Sequence, residues 1–281
     1  LAAITVDGLA FGASLALLGV GITLVYGLGE VLNLAIGAFA VIAAISASLL
    51  TSEGVALPIA AVAGLGLVGV FGLVIDRTLL SLVYRSDGEE RILLGIFTTL
   101  GLAVLLEGVM VNLVSSRYSL PLDISPIDVG TTVVTGTSVV SIVVAAVVLA
   151  VLFAFLNRTF LGKATRTIFQ DERGAQLVGI DPRKIRTLVF VLSAVVAGLA
   201  GLLVAARSNV GVGNAFQFTT FALIVSIVGG VRSLVGAVIA GALLGLVNTL
   251  ANFFIGSYVA TIILFGAAIG FLLLRPEVMS S

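Results

Sequence analysis

The chain has 281 residues, of which 60% are hydrophobic and only 10% charged, with 33 glycines and a formal net charge of zero. A water-soluble domain of this size does not tolerate so few charges, which places the chain in lipid. Histidine and cysteine are both absent, so no metal site, cofactor or thiol chemistry is expected, and zero net charge gives no electrostatic footing for nucleic acid.

The opening residues LAAITV carry no basic n-region, so no cleavable signal peptide is expected there. A bilayer core of about 30 Å takes roughly 20 apolar residues per helix. Suitable uncharged runs lie at 8–29, 31–52, 54–75, 92–116 (broken by Glu107), 129–157, 187–206, 208–231 and 233–274, the last being long enough for two helices. None alternates polar and apolar residues as a membrane β-strand would. The expected fold is therefore all-α, a polytopic membrane protein of about eight to nine transmembrane helices. Some of these are expected to be broken or re-entrant, and all form one transmembrane domain over 1–281. The run at 208–231 starts polar and glycine-rich and is expected to be a tilted or broken helix.

Lysine and arginine concentrate in short cytoplasmic loops. Arg77, Arg85 and Arg91 follow the third run, and Arg158, Lys163, Arg166, Arg173, Arg183, Lys184 and Arg186 fill the segment before the sixth. Both segments are expected inside the cell, with Arg117 and Arg207 outside. The N-terminus then lies outside and Arg275, after the last helix, inside.

The segment 162–186, GKATRTIFQDERGAQLVGIDPRKIR, reads as one short amphipathic helix over 169–178 between two basic arms, stopped by Gly179 and Asp181-Pro182. On charge content alone it is a solvated connector that sets topology. The hexapeptides GEVLNL at 29–34 and GGVRSL at 229–234 suggest a parallel repeat with two tight, glycine-enabled connections. Polar residues within apolar runs mark a pathway or a partner. Glu107, Asn248 and Asn252 are such residues, and Glu30 and Asn33 sit at a junction between runs. Without a pathway, interfacial solvation accounts for Glu30 and Asn33, hydrogen bonds between helices for Asn248 and Asn252, and pairing with Asn112 or Arg117, or snorkelling outward, for Glu107. Closely spaced glycines such as Gly236, Gly241 and Gly245 are expected to serve helix packing.

The stretches DGLAFGASLALLGVGITLVYG (7–27), NLAIGAF (33–39), GKATRTIFQDERGAQLVGID (162–181), VFVLSAVVAGLAGLL (189–203), SIVGGVRSLVGAVIAGALLG (226–245) and LRPEV (274–278) together resemble the branched-chain amino acid permeases of ABC importers. The resemblance implies a transport subunit without catalysis. Its partners would be cytoplasmic ABC ATPase subunits, a second permease subunit and an external solute-binding protein, with the inner or plasma membrane as its location. It further implies that Asp171, Glu172, Arg173, Ala175 and Gly179 belong to the helix that docks on the ATPase. Ala175 and Gly179 match the importer pattern of Glu-Ala-Ala, three residues, Gly. Arg173 and Gly174 depart from it. No Walker Gly-Lys-Ser or Gly-Lys-Thr loop occurs, so ATP hydrolysis falls to a partner. Related permeases carry urea or short amides, and a stand-alone secondary transporter or channel is the other alternative.

Overall fold

The computed structural model describes residues 2–29, 31–86, 88–114, 117–120, 122, 124–129 and 132–274. Six helices among them are long and apolar enough to cross a bilayer. These are α1 (Ala2–Gly29), α3 (Leu57–Ile75) with its continuation, α5 (Gly88–Leu113), α6 (Gly136–Arg158), α9 (Pro182–Ala205) and α11 (Leu234–Ile255). Three apolar helices are shorter: α2 (Ile36–Ser52), α10 (Asn214–Gly229) and α12 (Ser257–Leu274). The fold is all-α and membrane-like. At 1.5 Å per residue, α2 and α10 reach only about 25 Å, less than the hydrocarbon thickness.

Helix α3 runs on through a π-helical turn, Asp76–Leu80, into the short α4 (Ser81–Val83). A π turn inserts one residue into the helical ladder, and here it begins at a buried aspartate. The run expected at 129–157 is helical only from Gly136. The residues before it form an antiparallel pair, β1 (Ile127–Val129) with β2 (Thr132–Val134). The β-branched TTVVT sequence favours the strand. In the run at 208–231 the helix likewise starts late, at Asn214, after the turn residues 206–213.

Helix α1 is the central element, buried along most of its length and packed on α6, α9, α10 and α11. Its antiparallel contact with α11 is backbone against backbone. A Cβ added at Gly245 would stand 2.1 Å from Gly12 Cα, and one at Gly241 would stand 2.5 Å from Ala16 Cα. Lipid supplies no hydrophobic drive between helices, so such close approach is how they gain dispersion contact. Helix α10 runs parallel to α1, with Phe11 edge-on to Phe221 at 6.0 Å and Thr23 bonded to Ser226 at 3.0 Å.

The two matching hexapeptides fold differently. After α10 the chain turns tightly, with Gly230 at φ 90° and the Ser233 hydroxyl accepting from Gly236 N. After α1 it re-enters the protein. Val31, Asn33 and Ala35 are fully buried, and Ile36 lies against Gly21 in the middle of α1. The charged residues separate into two ends: Asp76, Arg91, Glu172 and Arg186 gather at one, while Arg207 and Asp7 meet at the other.

Candidate functional site

The segment expected as one helix over 169–178 is two. Helix α7 (Phe160–Gln170) buries Ala164, Thr165 and Ile168 on one face and exposes Lys163, Arg166 and Gln170 on the other. The chain then breaks at Asp171, whose extended backbone (φ −155°, ψ 101°) ends α7 and opens α8 (Glu172–Leu177). At the far end Gly179 adopts φ 84°. Its N–H bonds to Gln176 O at 3.0 Å and that of Ile180 to Ala175 O at 3.0 Å, the paired bonds of a Schellman turn. Asp181 then accepts from Arg183 N and caps α9, with Pro182 at its first position.

Ala175 is 0% exposed and seats α8 on the protein itself, so it cannot present its methyl to a partner in this conformation. The outward face is formed instead by Arg173, Gln176, Leu177 and Val178. Leu177 is 88% and Val178 73% exposed, an apolar tip on an otherwise polar segment.

Behind α8 lies a cluster of buried polar groups. Arg186, 5% exposed, donates to the Glu172 carboxylate at 2.6 Å and stacks over the Tyr84 ring at 4.8 Å. Arg91 stands 3.7 Å from the same carboxylate and donates through Nε to Ser86 O at 2.7 Å. Thr187 donates to Asp76 at the π turn. Burial, with the Asp76 charge adding to it, pushes the Tyr84 phenol well above its ordinary value, so the ring stays neutral. Glu172 of α8 is thereby joined to α9, to the start of α5 and to the turn after α4. In the sequence Arg91 and Arg186 look like topology-setting charges at helix ends, and Asp76 carries no signal of its own. Only the neighbouring helices reveal their burial.

The other predicted residues do not converge. Glu30 lies outside the described residues. Asn33 is fully buried in the segment 31–35; its Oδ1 accepts from Ala35 N at 3.1 Å, and its Nδ2 has no partner. The non-helical backbone of that segment is satisfied by two threonines that sequence reading missed. Thr99 donates to Leu32 O at 2.7 Å and accepts from Leu34 N, while Thr219 donates to Leu34 O and accepts from Gly37 N, both at 3.1 Å. Glu107 is half-buried on α5, and Asn112 donates to Gly108 O at 2.7 Å, not to Glu107. Asn248 and Asn252 do share a site, a cavity of about 380 Å³ at the Arg207 end, together with Gln217 and Phe221. Arg207 lines it too. Burial lowers its affinity for the proton below that of an ordinary guanidinium, against the opposing pull of Asp7. Among the described residues no group of three or more acidic side chains stands as a metal site.

Membrane-length apolar helices around a buried central helix, with a non-helical segment inside the bundle, define a polytopic helical membrane protein. The chain belongs to the family described as "Branched-chain amino acid transport system / permease component", whose profile matches residues 4–275. It is 28% identical to the high-affinity branched-chain amino acid transport system permease protein BraD of Pseudomonas aeruginosa, over 96% of this chain and 92% of that one. It is also 28% identical to the probable branched-chain amino acid transport permease protein LivH of Methanocaldococcus jannaschii, over 88% and 80%. Among solved structures it resembles PsaBC from Streptococcus pneumoniae in complex with Fab, with a TM-score of 0.51 at 14% identity over 95% of this chain and 89% of that one. That likeness concerns the fold alone.

Proposed function

We propose that this chain is the membrane-spanning subunit of an ABC importer for branched-chain amino acids or related small polar solutes. An external binding protein delivers the solute, and two permease subunits, identical or related, sit on two cytoplasmic ATPases that supply the work. The family and the relatives' named substrates support the solute class. The lysine and arginine bias supports an N-terminus outside and a C-terminus in the cytoplasm, which takes an odd number of spans, here nine.

The observation that carries the coupling role is the apolar tip of α8, exposed on a helix rigidly held from behind. An ATPase groove that covers Leu177 and Val178 removes them from water. The Schellman turn and the Glu172–Arg186 pair tie α8 to α9, so closure of the ATPases moves the spans with the docked helix. Asp171 sets the entry to α8, Arg173 lies on its outward face and Gly179 holds its exit.

Leu177→Asp tests this, because a surface change leaves the fold within about 0.5 kcal/mol while placing a charge in the groove. The variant should insert normally, lose ATPase copurification and lose uptake. Gly179→Val should act in the same direction through backbone strain of about 1–2 kcal/mol at a left-handed residue. Normal transport and ATPase retention by Leu177→Asp would remove α8 from the interface.

A further inference from the structure

A groove beside the cluster behind α8 shares Asp76, Tyr84, Arg186 and Thr187 with it. It is a cleft of about 890 Å³ between the second half of α3 with its π turn and the first half of α9. Along its membrane-depth part it is floored by Gly66 and Gly69 and walled by Val70, Leu73 and Val191. A Cβ at Gly66 would meet nothing within 4 Å, and one at Gly69 only the valine side chains of α9, at 3.4 Å or beyond. These glycines therefore leave open space, unlike those of the α1–α11 contact. The adjoining face of α3, with Val62, Val70 and Val74 each more than half exposed, looks away from the protein.

At the basic end the same cleft changes character. Arg77, Arg85, Arg183, Lys184 and Arg186 line it against one carboxylate, Asp76. Two of these cations are committed: Arg186 to Glu172, and Lys184 to Asp181 at 3.6 Å. Arg77, Arg85 and Arg183 are exposed, and among the described residues no carboxylate lies within ion-pair distance of them. On the inner wall, Asp76 Oδ1 and Arg186 Nε are buried without partners.

We infer that this cleft is a binding site for an anionic phospholipid of the cytoplasmic leaflet. The acyl chain lies over Gly66, Gly69 and Leu73, and the phosphate headgroup lies among Arg77, Arg85 and Arg183. An apolar groove joined end-on to a cluster of cations at the bilayer surface matches the amphipathic order of such a lipid and of no soluble anion. A second copy of the chain is a poorer occupant, since a two-fold contact through this face would set the cations against their own copies. The site is independent of which solute is carried and of where the ATPase docks.

Native mass spectrometry of the purified full-length chain tests the assignment, using phosphatidylglycerol and phosphatidylcholine of the same acyl composition and the deacylated headgroup glycerophosphoglycerol. Phosphatidylglycerol should bind at least tenfold more tightly than phosphatidylcholine, and millimolar glycerophosphoglycerol should not displace it. The double variant Arg77→Gln/Arg183→Gln should reduce that preference by roughly fivefold per cation removed. Gly69→Leu fills the groove with every charge intact and should also reduce phosphatidylglycerol binding. Equal binding of the two lipids by the unaltered protein overturns the proposal without reliance on any variant. So does full displacement by the headgroup alone, which would mark a soluble-anion site. Disulfide formation between copies carrying Gly66→Cys, blocked by neither lipid, would assign the face to a second subunit instead.

Discussion

Arg186 holds Glu172 with one edge of its guanidinium and covers Tyr84 with its face, at 5% exposure. Lysine would place a point charge there but supplies neither the planar fork nor the stacking surface. Removing the guanidinium leaves Glu172, among the described residues, with Arg91 alone as ion-pair partner, at the longer distance of 3.7 Å, and opens a void over the Tyr84 ring. Breaking a fully buried pair costs about 3–5 kcal/mol. Glu172 keeps about a third of its exposure, so about 2–3 kcal/mol is expected for Arg186→Ala. A lowered thermal midpoint of the detergent-purified chain measures it, and Arg186→Lys should recover only part of the loss. An unchanged midpoint for Arg186→Ala would mean that the pair forms too transiently to hold α8. Ala175 carries a related lesson. Its full burial makes Ala175→Glu a defect of the chain's own packing, so that variant cannot report on docking alone.

Among the elements, helices announced by long apolar runs were legible, because hydrocarbon length and backbone satisfaction leave few alternatives. The end of α8 was legible too, since a left-handed residue before Asp-Pro has a local cause in Gly179. What sequence hid were features decided between elements. The break at Asp171 separates α7, which packs on α1 and α6 as well as α9, from α8, which packs on α9, and nothing in TIFQDERGA announces it. The buried segment 31–35 is a stronger case: its unpaired backbone is tolerable only because Thr99 of α5 and Thr219 of α10 arrive beside it. Those threonines sit in apolar runs where a hydroxyl ordinarily bonds back to its own helix, and each shares its single proton with that carbonyl, Gly95 O and Ala215 O respectively. Thr219→Val keeps the shape but leaves Gly37 N and Leu34 O without this partner inside the bundle. It should cost about 1–3 kcal/mol, read as a lower thermal midpoint. Thr220→Val, one residue on at a half-buried position whose hydroxyl makes a solvent-exposed bond to Phe216 O of its own helix, should be close to neutral. Equal effects of the two would show that the segment 31–35 draws its stability from elsewhere.

For the molecule as a whole, the segregation of charge decides which way the chain faces. The basic loops gather at one end through contacts among Asp76, Arg91, Glu172, Arg186 and Thr187. Arg207, Asp7 and Tyr118, the last bridged to Val210, mark the other. The fold alone is indifferent to which end meets the cytoplasm; the excess of lysine and arginine in short loops breaks that symmetry during insertion. The chain contains no cysteine, so single cysteines report position without background. Lys163→Cys, exposed on α7, should resist a membrane-impermeant thiol reagent applied to intact cells and react once the membrane is opened. Glu53→Cys, exposed in the turn after α2 at the opposite end, should react in intact cells. The reverse pattern would turn the whole bundle over. It would put α8 and the lipid cleft on the face where neither an ATPase nor the cytoplasmic leaflet can reach them. Labelling of both positions from outside would instead show that the two loops do not lie on opposite sides of the bilayer.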